Sequence, residues 1–377
     1  MKNKIDWSAT VLEANAVAEN DEMPDIELLY SNNQIKKAGK ILIDPNTTEE
    51  EYLAALDILS NWRATHALPL NSIQGLLRTN ARRVDGECTI SQRLKRVPSI
   101  QNKLKRFPNM KLNTMQDIGG CRAVLKTVEN VLELQNLLVN SKTEHQIISQ
   151  DNYIIEPKES GYRGIHLIYK YCGHKKEIYR NHKIEIQIRS RIQHSWATAV
   201  EIVDTFTKNN LKTGCGDAEW SEFFKEISVL FSAIEGYFIE GCDTNEKIEN
   251  YLNKTADKIE NLNEKLNVIN ALIGYSVSTN ILESDKNSKY FLLILDSNNK
   301  TIETQGYKKK EFKKASNDYI ESEKKFKDNK NYNVALVSSD SIQALKIAYP
   351  NYFSDSKMFV ENLELGFGGL NRKLKQF

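Results

Sequence analysis

Four short stretches of this chain carry side chains suited to phosphate, metal and nucleobase chemistry. The most informative runs from Lys183 to Thr205. Ile184, Ile186 and Ile188 alternate there with Glu185, Gln187 and Arg189, the period of a strand with one apolar and one polar face. From Ile192 the period changes, and Ile192, Trp196, Ala199 and Val203 recur at helical spacing. The stretch reads as a strand presenting a carboxylate, an amide and a guanidinium, feeding a helix whose apolar stripe packs under the sheet. Alone, an ExQxR strand is more simply an edge strand with a solvated face. The stretches upstream change that reading.

Between residues 89 and 107, Arg93, Lys95, Arg96, Lys103, Lys105 and Arg106 surround a helix start at Pro98-Ser99-Ile100. A helix N-terminus with a hydroxyl beside several cations is an anion site, above all for polyphosphate. The bland reading is a basic surface helix. Next, Asp117 stands two residues before Gly119-Gly120, which lead into the apolar run ending at Leu125. A carboxylate in that place suits a hard cation such as Mg²⁺, and the glycines let a ligand approach the backbone. In the fourth stretch, 157–166, Gly161 and Gly164 bracket Tyr162, with Lys158, Arg163 and His166 close by. An exposed tyrosine among those groups suits stacking on a nucleobase beside phosphate. A lone Gly-Tyr-Arg would instead be a turn capping the core.

The elements that must hold these groups are legible in part. Residues 1–33 are polar with few apolar anchors. Thr48 and Glu51 have capping-box spacing, and Leu53, Leu56, Leu59 and Trp62 follow as a buried stripe to a helix end near His66. A second helix, from around Asn71, carries Ile73, Leu76 and Leu77, with Arg78, Arg82 and Arg83 at or beyond its end. That cluster is either a solvated helix end or a contact to nucleic acid. Val128–Leu138 and Asp217–Phe238 are amphipathic helices, and Asn245–Ile273 is a helical connector, with a coiled-coil dimer as the weaker alternative. After a polar linker at Ser276–Asn287, two strands flank Asp296-Ser297-Asn298-Asn299 as a hairpin. A helix (Lys309–Lys327), a strand (Val334–Val337) and a short helix (Ser341–Ala348) complete a small ββαβα module. Tyr349-Pro350-Asn351-Tyr352-Phe353 then forms an aromatic turn, a core clamp or a plug.

Composition narrows the classes. A chain of 377 residues allows two or three domains, and a net charge of +2 requires any polyanion site to be a local concentration. Cys88, Cys121, Cys172, Cys215 and Cys242 form no CxxC pair, which argues against a zinc ribbon and a disulfide framework. The start has no apolar leader and no run approaches membrane-spanning length, so the expected location is cytoplasmic, with no membrane partner.

In order and spacing, RxKxxxSIxxK (Arg93, Lys95, Ser99, Lys103), DIGGCR (Asp117, Arg122), SGYRGIH (Tyr162, Arg163, His166) and ExQIR with HSWA (Glu185, Gln187, Arg189, His194, Trp196) resemble the RelA/SpoT-type nucleotide pyrophosphokinases. The resemblance covers roughly residues 90–205. It implies an α+β fold: a mixed-sheet, nucleotidyltransferase-like synthetase domain flanked by helices, beside the small C-terminal module. The domains expected are an N-terminal lead-in (1–40), the synthetase (41–240), a helical connector and linker (241–287), a C-terminal regulatory domain (288–365) and a tail (366–377). The implied reaction moves the β,γ-pyrophosphate of ATP to a ribose 3′-hydroxyl. The resemblance assigns Lys95, Ser99 and Lys103 to the phosphates, Arg93 and Arg122 to either face of the adenine, and Asp117 to Mg²⁺. Glu185 would share the Mg²⁺ and take the hydroxyl proton, and Tyr162 would stack on the acceptor base. Arg163, His166, Gln187, Arg189 and His194 would complete the acceptor cleft.

The acceptor divides the family: alarmone synthetases use GDP or GTP, and toxic members modify the 3′-CCA end of tRNA. Gly164 stands where those synthetases commonly carry Ser, and WATAVEIVDTF replaces their WAxxEH-type helix. With residues 61–78 and the C-terminal module, the chain looks most like CapRel-type fused toxin–antitoxins. That likeness implies tRNA as acceptor, with Arg78, Arg82, Arg83, Lys105 and Arg106 tracking the stem. It implies closure of the ATP site by Tyr349 and Tyr352, release by a phage capsid protein, and a role in anti-phage defence. A monomer is the favoured state. The rival readings are a (p)ppGpp synthetase regulated by its C-terminal module and a non-catalytic nucleotide- or RNA-binding regulator.

Overall fold

The computed structural model describes residues 26–173, 177–207, 218–237, 244–266, 278–280, 288, 290–296, 299, 301–308, 311–326, 332–338 and 356–370. The N-terminal chain is helical: α1 (Asn32–Ile41), α2 (Glu49–Ala64) and α3 (Ala67–Val84). Reciprocal capping boxes open the first two, Ser31 with Gln34 and Thr48 with Glu51, each satisfying N–H groups that a helix start leaves without acceptors. The expected lead-in is thus part of the fold from Ile26 on. The Tyr179 hydroxyl pins it, accepting from the Ile26 N–H and donating to the Ile26 carbonyl, both at 2.8 Å. In α2 the buried ridge is Ala55, Leu59 and Trp62, while Leu53 is exposed, because α1 meets the helix one step further round than the leucine spacing suggests. Helix α3 begins at Ala67 rather than around Asn71, since Pro69 falls in the first turn, where its missing N–H costs nothing.

The sheet is assembled from β1 (Thr89–Leu94), β2 (Gly119–Leu125), β3 (Gln146–Asn152), β4 (Ile165–Lys170) and β5 (Lys183–Ser190), in the order β1-β2-β5-β4-β3. Only β2 and β5 run parallel, so the sheet is mixed and the fold is α+β, as expected. Two further helices, α4 (Val97–Arg106) and α5 (Val128–Val139), follow β1 and β2. The apolar face (Cys121, Ala123, Leu125, Leu167, Ile184, Ile186, Ile188) packs on Ile73 and Leu77 of α3 and Val131 and Leu134 of α5. Each buried leucine, isoleucine and valine among these contributes about 1.5–3 kcal/mol. A one-residue slip of β5 would drive Glu185 into this core, so the same burial that stabilises the sheet fixes which face is polar.

A second core lies beyond the end of β5, formed by α6 (Arg191–Thr207), α7 (Ala218–Ile234) and α8 (Asn245–Leu266). The α6 stripe does not pack under the sheet. Helices α3 and α5 occupy that face, and α6 follows Ser190 with no loop to carry it across, so Trp196, Ala199 and Val203 pack on Phe223, Phe224 and Phe231.

The C-terminal chain adds a four-stranded sheet, β6 (Ser278–Asn280), β7 (Tyr290–Asp296), β8 (Thr301–Tyr307) and β9 (Tyr332–Ser338), in the order β6-β8-β7-β9. The β7–β8 hairpin forms as the turn residues predict, and α9 (Phe312–Lys325) covers Leu292, Tyr307 and Val334. Strand β6 lies in what reads as a polar linker, where three residues of Ser, Thr and Asn carry no alternation to find. Tyr349, Tyr352 and the expected helix Ser341–Ala348 lie outside the described residues. Helix α10 (Lys357–Gly369) crosses the expected boundary at residue 365 and buries Phe359, Leu363 and Phe367 in the second core. No helix among the described residues is long and apolar enough to cross a membrane.

Candidate active site

The strand register carries the polar groups to one place. Arg93 is the partner of Gly120, Gly120 of Glu185, Arg122 of Gln187, and Gln187 of His166, so these side chains share the face opposite the core. Gly120 adds no side chain, and the space above it is open, with only the Glu185 carbonyl near a Cβ position, at 3.7 Å. Arg93, Arg122 and Glu185 therefore flank Gly120 on this face.

One half of the site is cationic and is carried by β1, α4 and the start of β2. Lys95 is fixed by its N–H to the Ile118 carbonyl (2.8 Å). Its ammonium and that of Lys103 both donate to Asp117 Oδ2, at 2.9 and 2.8 Å. The other carboxylate oxygen, Oδ1, is buried with no hydrogen-bond partner. A buried acceptor left unpaired costs about 1–3 kcal/mol, so this atom favours a ligand that can pair with it. Ser99 lies in the first turn of α4, whose N-terminus no side chain caps. Arg122 donates Nε and Nη2 to Gln187 Oε1, both at 3.2 Å. Burial, then Arg189, then Arg93 push its pKa down against the pull of Glu201. A guanidinium stays charged in proteins, so this crowding makes an anion or a π-face favourable beside it.

The other half is aromatic. Gly161 (φ 85°) and Gly164 (φ 146°) hold the loop in conformations that favour glycine, and a Cβ on Gly164 would stand 3.1 Å from the Tyr162 hydroxyl. That hydroxyl meets His166 Nε2 at 2.6 Å and accepts from Arg189 Nε at 3.1 Å. His166 Nδ1 lies 3.2 Å from Glu185 Oε1, and Gln187 Nε2 donates to Glu185 Oε2 at 2.7 Å. An unbroken chain therefore links Tyr162, His166, Glu185, Gln187 and Arg122. Arg189 lies over the Tyr162 ring at 4.9 Å, and Lys158 over the Tyr153 ring at 4.2 Å. Burial raises the Tyr162 pKa, but Arg189 and His166 outweigh it and bring it down to about 8. Burial likewise works against the ionised Glu185, yet His166, Gln187 and Lys95 hold its carboxyl well below the usual range. Burial disfavours the His166 cation, and Tyr162 and Glu185 more than restore it, so its pKa is raised.

Other candidates stand elsewhere. Tyr162 is half-buried rather than exposed, because its ring is roofed by Lys158 and Arg189. Arg163 turns away from the cleft: Nη1 donates to the Ile154 carbonyl (2.8 Å) and Nε to Ser228 Oγ (3.2 Å), making it a clamp between loop and α7. His194 is buried in the first turns of α6. Arg78 donates to Gln74 (2.6 Å), and Arg82 and Arg83 are exposed at the end of α3, the helix that covers the opposite face of the sheet. Lys105 and Arg106 face solvent at the end of α4, where only Lys103 turns inward. The basic residues expected to track a tRNA stem are thus not gathered on the polar face. Sequence reasoning passed over Tyr153 and Ser228. The one signal for Ser228 is a small polar residue inside the apolar run of α7.

Comparison with known proteins bears on this geometry. Residues 92–204 match the family model RelA_SpoT, described as a region found in RelA / SpoT proteins. The chain is 35% identical over 111 residues to the GTP pyrophosphokinase YjbM of Bacillus subtilis (strain 168), covering 29% of this chain and 52% of that one. To the GTP pyrophosphokinase YwaC of the same organism it is 30% identical over 112 residues, 28% of this chain and 52% of the relative. The chain therefore spans about half the length of these curated relatives. A crystal structure of small alarmone synthetase 1 from Bacillus subtilis bound to its product pppGpp matches with TM-score 0.34 and 28% identity, over 39% of this chain and 74% of that one.

The residues present fit a magnesium ion. Among the described residues no group of three or more His, Cys, Asp or Glu could hold a metal by itself. Mg²⁺ needs no such cage when phosphates of a substrate complete its shell, and one or two carboxylates suffice. Asp117, with its partnerless oxygen, and the ionised Glu185 would supply them.

Proposed function

We propose that the chain is an ATP pyrophosphokinase, transferring the β,γ-pyrophosphate of ATP to the 3′-hydroxyl of a nucleotide acceptor. The observation that supports this reading best is the pairing of Lys95 and Lys103 on Asp117 beside a hydrogen-bonded Glu185 on one sheet face. ATP is the donor. Its phosphates displace the two ammonium groups from Asp117, and the adenine enters between Arg93 and Arg122. The hydroxyl oxygen then attacks the β-phosphorus, the bond from that phosphorus to the α-phosphate oxygen breaks, AMP leaves, and the proton passes to Glu185. Lys95, Lys103 and Ser99 hold the transferring group in line, which is most of what phosphoryl-type transfer requires of a protein. Against the cost of burial, His166, Gln187 and Lys95 hold Glu185 ionised, so its carboxylate is open to the proton, while the same contacts make it a weaker base than a free carboxylate. When bound, Mg²⁺ held by Asp117 and Glu185 neutralises charge developing on the phosphates.

For the acceptor we favour the 3′-CCA end of tRNA, with the transfer halting translation in anti-phage defence. Its support is Gly164: a side chain there would crowd the Tyr162 hydroxyl at 3.1 Å and Arg189 at 3.2 Å, so the departure from Ser relaxes the acceptor pocket. An acceptor stem reaching this face would meet Lys158 and Arg93 before Arg82 or Arg83. Closure of the ATP site by Tyr349 and Tyr352, with release by a phage capsid protein, is the regulation that goes with this reading. The names of the relatives support a second reading, in which GDP or GTP accepts the pyrophosphate. Incubation with ATP, Mg²⁺, bulk tRNA and GDP, with and without capsid protein, separates them. Modified tRNA formed only with capsid supports the first reading; a labelled guanosine nucleotide formed regardless of capsid supports the second and removes the role of the tyrosines.

A further inference from the structure

The loop bearing Tyr162 is not self-supporting. Ser228 of α7 donates to the Gly161 carbonyl at 2.5 Å and accepts from Arg163 Nε at 3.2 Å, so one hydroxyl holds both residues that flank Tyr162. Gly161 is pressed so closely on α7 that a Cβ would stand 3.0 Å from Lys225 Cα and 3.1 Å from Ser228 Cβ. Trp196 seals the same junction, donating from its indole to the Phe224 carbonyl at 2.7 Å with its ring 6.5 Å from that of Tyr162.

Helix α7 is in turn held by the C-terminal helix. Phe359 of α10 packs on Phe224 and Phe231, with ring centroids 6.1 and 5.5 Å apart. Gly366 sits so tightly on α7 that a Cβ would stand 2.8 Å from Leu230. Asn362 donates to Ser195 of α6 at 3.0 Å, next to Trp196. The cationic half has other supports: Ile100 and Leu104 of α4 pack with α1 and α2.

From this geometry we propose that Ser228 is the positioning residue of the acceptor loop, and that its place is set by the seating of helix α10 on α7. The C-terminal chain thereby controls the acceptor half of the site and not the ATP half. This rests on the pyrophosphokinase reading for its catalytic consequence, though not for its structural one. It also differs in sign from closure by the tyrosine turn: detaching α10 weakens acceptor use, whereas releasing a plug strengthens ATP use.

The test uses the full chain and two variants, Ser228→Ala and Leu363→Ala, in amide hydrogen exchange and in steady-state kinetics with ATP and each acceptor, with and without capsid protein. Exchange over residues 158–164 should rise about tenfold in both, the loss of one hydrogen bond or of part of its support, with residues 95–106 unchanged. The acceptor KM should rise by about the same factor, with the ATP KM within about twofold. If Leu363→Ala melts below the assay temperature, Asn362→Ala, which removes only the bond to Ser195, replaces it. Unchanged exchange over 158–164 in either variant, or an equal rise over 95–106, overturns the proposal. Failure of transfer with every acceptor, both with and without capsid protein, would refute the pyrophosphokinase reading, and the exchange measurement would still decide this one.

Discussion

The two halves of the site stand on one sheet face but rest on different parts of the chain. Asp117, Lys95 and Lys103 are backed by the N-terminal helices, whereas Tyr162 is backed by α7 and, through it, by the C-terminal helix α10. The difference lies in what each half must do. Under the proposed function a triphosphate needs fixed cations, and local elements, a strand end and a helix start, would supply them within about two turns of chain. An acceptor must be oriented against a base, which takes a loop whose conformation other elements enforce. A site split in this way can be regulated on one side alone.

The largest expected effect falls where the halves meet. Asp117→Asn removes the charge that organises both lysines, and turnover should drop about 10³-fold, within the range for groups acting on the transferring charge. Equal loss with ATP-analogue binding intact would place Asp117 at the chemical step; lost analogue binding would place it in ATP recognition. Next, Lys103→Ala and Tyr162→Ala should part company. The first should raise the ATP KM and the second the acceptor KM, each about tenfold to thirtyfold, from one charge-assisted bond or one stacked base. If either substitution raised both constants together, the division into halves would be wrong.

A third prediction concerns the supports on the ATP side. Neutral His66 and His182 are buried against each other and Trp62, with ring centroids of the two histidines 4.5 Å apart and Thr65 Oγ1 2.9 Å from His182 Nε2. Burial pushes His182 down to about 4, and burial with the neighbouring His182 puts His66 well below its usual value. The unfolded chain binds protons more readily than the folded one, so stability is complete above about pH 6.5 and declines as pH falls from there towards about 4. His182 alone should cost about 3 kcal/mol over that window. Thermal melts at neutral and acid pH check it, and His182→Asn should flatten the dependence. The smallest effect is expected for Arg82→Glu with Arg83→Glu, on the far side of the sheet from the site: ATP and acceptor KM should stay within about twofold. A selective loss of tRNA use would show instead that the stem wraps around the edge of the sheet.

What the sequence disclosed follows from how local each signal is. The Thr48–Glu51 cap, the β7–β8 hairpin and the polar face of Glu185, Gln187 and Arg189 are encoded within a few residues, and all three form. Strand β1 was less legible, because Thr89–Leu94 has few apolar residues and lies at a sheet edge. The α6 stripe packs on α7 rather than under the sheet, a partner not legible in the sequence because a helical stripe declares that it is buried, not against what. Helix α10 escaped notice for a related reason. Its Gly366, Gly368 and Gly369 lower helix propensity by about 1 kcal/mol each, and Gly366 is explained only by the close approach of Leu230. Arg163 reads as a site residue and is a clamp, a distinction that depends on Ser228, sixty-five positions away.

The measurement that bears most directly on the account is transfer of label from ATP carrying it at the γ-phosphate, with wild type and Glu185→Gln, to tRNA and to GDP in parallel, each with and without capsid protein. The account predicts label on a 3′-hydroxyl acceptor with release of AMP, and a loss of about 10³-fold or more in the variant. Label that persists in Glu185→Gln, or wild-type protein that releases ADP rather than AMP, would contradict it.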